Sequence, residues 1–318
     1  LTSFFYLYDL DKGFEFSNYI TSITFFSFYQ SLVSALLSVI IGTLFAYLLF
    51  KHNYIYGFKL LINSLSVLFV LPTIITIFGI LTFYGNFFQI YGLFGILIAH
   101  VILNIPLVAR VIFQTLNDIS PNERMLADQM NLKSWGSFLA IEWPVIKKNI
   151  PSLFVLISFI CFVSFTPVLI LGGGPKYSTL EVAIYHAVMF ADNFNIAFNL
   201  LIVQILICGS IYFIFFKNFK SKNFIIDDQR YYRSINSISY KYIIDYLLLI
   251  IISVFIFSPI TFVLIKGINI KLPEVLNSFY FWSSLSTTFV IGILSGALSI
   301  ILTYGNLVFL NKNKNSTE

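Results

Sequence analysis

Long apolar runs separated by short polar stretches dominate the chain from residue 25 onward. Runs of this length exceed the roughly 18 residues that mark a membrane-crossing helix. Seven spans are read, at about 25–50, 60–84, 93–113, 152–171, 195–216, 243–265 and 285–310. Each can cross roughly 30 Å of hydrocarbon at about 1.5 Å per residue. The pattern predicts an all-α polytopic membrane protein. A membrane β-barrel needs short alternating segments, so the unbroken runs exclude it.

The connections between spans alternate in charge. Of 19 Lys and Arg, 15 fall in the segments 51–59, 110–150, 217–245 and 312–318. Lys12, Lys176, Lys266 and Lys271 make up the other side. This asymmetry places the 110–150 segment in the cytoplasm by the positive-inside rule. The stretch before the first span, with Asp9, Asp11 and Glu15, lies outside. Composition agrees: 10% of residues are charged and 58% hydrophobic, against about 25% charged in a soluble domain. The net charge of +5 therefore reports topology, not nucleic-acid binding. The 37 Phe and 19 Tyr read as lipid-facing bulk and interfacial belts. Cys161 and Cys208 both lie inside predicted spans, where they read as small packing residues. The chain opens on Leu1 with "LTSFFYLY", which reads as the stub of an earlier span. A fragment, or a chain with its first helix trimmed, is expected.

Polar residues inside spans are costly. "AHVILNIPLVAR" sets His100 and Asn104 four apart on one helix face, with Arg110 below. Two readings stand open: a stripe facing a pathway or gate, or interhelical hydrogen bonds with a snorkelling Arg110. Pro72 in "FVLPTIITIF" is expected to kink its span.

The stretch "SPNERMLADQMNLKSWGSFLAIEWPVIKKNIP", Ser120 to Pro151, is polar and well punctuated. Ser120-Pro121-Asn122-Glu123 has the form of a capping box with proline at the first helical position. A helix is expected from Pro121 to about Met130, too short to be stable alone in water. Asn131 stands where the helix should end, and asparagine tolerates a left-handed terminal position. Ser134 is read as the cap of a second short helix, from Trp135 to about Glu142. Pro144 is expected to stop it, with Trp143 biased out of helical geometry. Met125, Leu126, Met130, Trp135, Phe138 and Leu139 are then available to dock.

This segment resembles the EAA loop of ABC importer permeases, which reads roughly E-A-A, three residues, glycine, then proline thirteen residues later. Met125-Leu126-Ala127, Asn131 and Pro144 match that spacing. Met125 stands in place of the acidic residue and Asn131 in place of glycine. The resemblance implies that Glu123, Met125, Leu126, Ala127, Met130, Asn131, Trp135, Phe138, Glu142 and Pro144 form a loop docking into a cytoplasmic ATPase dimer. ATP and Mg belong to that partner, and no cofactor is expected on this chain.

The likeness is broader than the loop. Glu142-Trp143-Pro144, "LGGGP" at Leu171 to Pro175 and "TLEVAIY" at Thr179 to Tyr185 resemble the thiamine (vitamin B1) ABC transporter permeases, type I importers of the bacterial cytoplasmic membrane. Ferric-iron permeases share the fold and are the natural alternative. The resemblance implies a periplasmic or extracellular substrate-binding protein as a second partner. Gly172, Gly173 and Gly174 are read as a mobile outer gate, a contact for that protein, or a tight connection. "GGGPKYST" is not a phosphate-binding loop, which requires G-x-x-x-x-G-K-[ST].

"FYQSLVSALLSVIIGTLFAYLL" from Phe28 resembles "FWSSLSTTFVIGILSGALSIIL" from Phe281. A two-half permease is therefore expected. Its first half is 1–217, a cytoplasmic linker is 218–242, and 243–318 is the truncated start of the second half. An ion-coupled secondary transporter would need carboxylates near the midplane. The one acidic residue in a predicted span is Asp245, near a cytoplasmic end.

Overall fold

A computed structural model describes residues 18–52, 57–132, 134–218, 241–268 and 271–314. The described residues are helical, without strands. Two compact units divide at Val263/Leu264. The division falls inside a helix, and most of the expected linker, residues 219–240, lies outside the described residues.

The first unit is organised around α1, Asn18–Lys51. Its 34 residues extend about 51 Å at 1.5 Å per residue, well beyond a hydrocarbon core of roughly 30 Å. Between lipid-embedded helices there is little hydrophobic driving force, so close packing and hydrogen bonds hold them together. The inward face of α1 is built for that, with Ser27, Gln30, Ser31, Ser34, Ala35, Ser38, Gly42 and Ala46 all buried. Helix α4, Leu93–Asn117, crosses it at Gly42, where an added Cβ would sit 2.7 Å from the Val108 Cβ.

Helices α2, Phe58–Val70, and α3, Thr73–Tyr84, replace the expected kinked span. They bend by 106°. Leu71, before Pro72, is extended at φ −59°, ψ 139°, because proline disfavours helical geometry in the residue preceding it. The correction is one of size: the proline breaks this span.

Helix α5, Pro121–Gln129, forms as expected. The next helix does not stop at Pro144. Helix α6, Ser134–Ser137, passes through a π-helical segment, Phe138–Glu142, into α7, Trp143–Phe162. Trp143 is helical at φ −60°, ψ −44°, and its N–H reaches Phe138 O. The wider turn relieves the clash of a proline ring with the preceding turn. Pro144 thus sits within the first residues of α7.

The expected 152–171 span is also corrected. It ends at Phe162, breaks at Val163–Phe165 and resumes as α8, Thr166–Leu171. Pro167 lies at the start of α8, where proline is tolerated because no N–H is needed. Helices α9, Leu180–Met189, and α10, Phe194–Asn218, follow. Helix α11, Lys241–Gly267, carries Pro259. That proline leaves the Phe255 carbonyl without its helical donor, and the Tyr84 hydroxyl of α3 donates to it at 2.9 Å.

The main core lies where α1, α4 and α7 meet, with α2 and α11 against it. A second core joins α3, the start of α4, α8 and α9. The second unit contains α12, Leu272–Leu276, and α13, the 36-residue helix Phe279–Lys314. Among the described residues, six helices are long and apolar enough to cross a membrane, or seven if α2 and α3 count as one span.

Candidate functional site

Helix α5 is closed at both ends by local chemistry. Ser120 Oγ accepts the Asn122 N–H at 3.3 Å, and Ser120 O accepts that of Glu123 at 3.1 Å. The cap is therefore made through Asn122, not through the expected reciprocal pair with Glu123. At the other end Asn131 has φ +52°. Leu132 N–H donates to Ala127 O at 3.1 Å, the long bond of a left-handed helix stop. Asn131 thus occupies the conformation that glycine would adopt most cheaply.

The two faces of α5 differ. Met125, Leu126 and Met130 are exposed, Met130 by 72%. Ala127 is buried at 4%. The inner face is therefore Arg124 and Ala127, three apart. Arg124 Nη2 donates to Leu116 O at 2.7 Å, in the last turn of α4. Its guanidinium lies 4.4 Å from the centroid of Phe50, near the end of α1. Burial lowers the Arg124 pKa from its ordinary value, while Glu142 and Glu123 act to raise it.

The exposed apolar face continues onto the next helix. Trp135 is 69% exposed and stacks on Phe138, with ring centroids 5.3 Å apart. Phe138 in turn packs edge-on against Tyr47 of α1 at 4.9 Å. Leu139, Trp143 and Pro144 are exposed and Glu142 is half-buried. The structure therefore brings Met125, Leu126, Met130, Trp135 and Leu139 to the surface of one polar segment. Ala127, Phe138 and Glu142 seat it. Glu123 is exposed beside them.

The same end of α1 carries a charged cluster. Lys51 Nζ donates to Asp245 Oδ2 of α11 at 2.7 Å, and His52 Nε2 lies 3.1 Å from the same oxygen. The His52 side chain is fully buried and packs on Tyr246. Burial lowers its pKa, outweighing the opposing pull of Asp245.

The intramembrane candidates lie elsewhere. His100 and Asn104 are both buried. His100 Nδ1 pairs with Ser34 Oγ at 3.1 Å, and Asn104 Nδ2 donates to His100 O and to Cys161 Sγ. Gln30 Nε2 donates to Cys161 O at 2.9 Å. Among the described residues, His100 Nε2 and Gln30 Oε1 have no hydrogen-bond partner. These groups join α1, α4 and α7 in one buried polar cluster. In the glycine turn, Gly173 and Gly174 have φ +69° and +124°. Gly172 is closely packed instead, with room for no Cβ beside Val168 O. The turn docks on the start of α4, where Gly92 N–H donates to Leu171 O at 2.7 Å.

Several residues escaped the sequence reading. Arg124 counted only as a cytoplasmic charge, although its i,i+3 spacing to Ala127 marks an inner face. Gln30 was hidden in an apolar run. Glu181 of α9 accepts from Gln204 of α10, a pair that no spacing in sequence could reveal. Among the described residues no group of three or more His, Cys, Asp or Glu could hold a metal ion.

No family model matches the chain. Curated relatives do. It is 32% identical over 301 residues to the thiamine transport system permease protein ThiP of Escherichia coli, covering 90% of this chain and 56% of that protein. It is 34% identical over 308 residues to ThiP of Haemophilus influenzae, covering 92% and 57%. For ThiP of Salmonella typhimurium the identity is 31% over 301 residues, covering 90% and 56%. The chain therefore spans a little more than half the length of these relatives. With its membrane-length helices, it is a homologue of the thiamine transport system permease proteins over nine-tenths of its own length.

Proposed function

We propose that this chain forms part of the permease of a type I ABC importer, carrying thiamine or its phosphates across the bacterial cytoplasmic membrane. The observation that carries the reading is the likeness to thiamine permeases over nine-tenths of the chain. The exposed apolar face of α5 and α6 supports it in a second way. Met125, Leu126, Met130 and Trp135 stand out from a charged segment, and such a patch marks an interaction site. In this reading a cytoplasmic ATPase dimer receives that face, binds ATP and Mg, and performs the hydrolysis. A substrate-binding protein delivers thiamine on the opposite side. The permease contributes alternating access rather than bond chemistry.

The polar cluster of His100, Asn104 and Gln30 and the turn at Gly172–Gly174 are the candidate pathway and gate elements. Buried polar groups in a span carry a cost that function repays.

The test is uptake of labelled thiamine by cells carrying the full-length gene, with ferric iron as the competing substrate. Thiamine accumulation that requires the gene supports the proposal. Gene-dependent iron uptake without thiamine uptake contradicts it.

A further inference from the structure

Helix α5 presents its apolar face outward, so something on its inner face must carry any push into the membrane helices. Only nine residues long, it has little stability of its own. Among the described residues, Arg124 makes the one side-chain hydrogen bond from α5 to a membrane helix, at Leu116 O of α4. Leu116 O also takes a long bond from the Ile119 N–H, at 3.4 Å, and the last turn of a helix favours a cation. The same guanidinium covers the Phe50 ring of α1, and Phe50 packs edge-on against Phe113 of α4. Glu142, at the end of the π-helical segment, adds electrostatic attraction.

One side chain thus ties α5 to α1 and to α4. We propose that Arg124 is the positioning residue that makes α5 move as one body with α1 and α4, transmitting closure of the ATPase to the spans. The coupling part of this rests on the function proposed above; the tether itself does not. Arginine suits the task because its planar fork stacks on a ring and donates in plane at once. Lysine keeps the charge and loses that geometry. Motion passed to α1 continues to α11 through the contacts of Lys51 and His52 with Asp245.

Two measurements on the full-length permease test this. In the permease alone, hydrogen exchange of the α5 amides should quicken by about tenfold in Arg124→Met, the scale of one lost charge-assisted hydrogen bond. Exchange in the middle of α4 should not change. Unchanged α5 exchange overturns the tether whether or not an ATPase ever binds. In proteoliposomes with the ATPase and binding protein, Arg124→Met should keep ATPase association, because the outer face is untouched. Thiamine moved per ATP hydrolysed should fall by about tenfold or more on the same scale, and Arg124→Lys should restore part of it. Normal coupling in Arg124→Met, or loss of association in step with loss of transport, overturns the positioning role. A wild-type complex that neither forms nor carries thiamine overturns the proposed function, and the exchange result still decides the tether.

Discussion

The left-handed stop at Asn131 offers a quantitative handle on the cytoplasmic segment. Its φ of +52° costs an ordinary L-residue about 1–2 kcal/mol. Asparagine adopts it more readily than most, and a β-branched residue is the worst candidate. The conformation is what lets Leu132 N–H return to Ala127 O at 3.1 Å. Asn131→Val should therefore destabilise the closed end of α5 by about 1–2 kcal/mol, a factor of about 5–30 in the closed population. Asn131→Gly removes the steric cost altogether and should stay within about twofold of the parent, since asparagine was already tolerated there. The readout is hydrogen exchange of the amides from Met125 to Leu132 in the full-length protein. Valine should speed exchange by that factor and glycine should not. Equal exchange in the valine variant and the parent would refute the reasoning. So would a glycine variant as fast as valine.

Other consequences can be checked alongside it. Tyr84→Phe removes the donor to the Phe255 carbonyl that Pro259 leaves unpaired, and should lower stability by about 1–3 kcal/mol in a denaturation series. Gly42→Leu drives a side chain into Val108, 2.7 Å from the position of its Cβ. It should lower the thermal midpoint through an overpacking cost of about 1–3 kcal/mol, whereas an exposed Leu44→Ala change should cost far less. His52 has its pKa lowered by burial, so the folded protein binds its proton more weakly than the unfolded chain. That contribution is fully present above the ordinary histidine value of about 6.5 and is lost as pH falls through the lowered folded value. Thermal stability should therefore drop on acidification through this window, and His52→Gln should flatten that drop.

Much of the fold was legible because lipid enforces long apolar runs, which announce α1, α4, α10, α11 and α13 directly. Asn131 was legible for a local reason: few residues accept its backbone conformation. The prolines divided. Pro72 was read as a kink because the apolar run continues past it, yet Leu71 must leave helical geometry. Pro144 was read as a stop, but the π turn at Phe138–Glu142 widens the helix enough to carry it through. The break at Val163–Phe165 was signalled by Pro167 and masked by the hydrophobicity around it. Within the candidate site, the outward residues were legible from their apolar character in a polar segment. The inward ones were less so. Ala127 entered as a motif position, and its burial follows from tertiary packing alone. Arg124 depends on Phe50 and Leu116, which lie far away in sequence.

The proposed function requires the outer face of α5 and α6 to receive an ATPase. The most direct measurement is co-purification of the full-length permease with its ATPase subunit, comparing the parent with a Met130→Asp, Trp135→Asp double variant. Both side chains are about 70% exposed, so membrane insertion and α5 exchange should be preserved. The variant should insert normally and no longer retain the ATPase. A variant that inserts normally and holds the ATPase as firmly as the parent would contradict it.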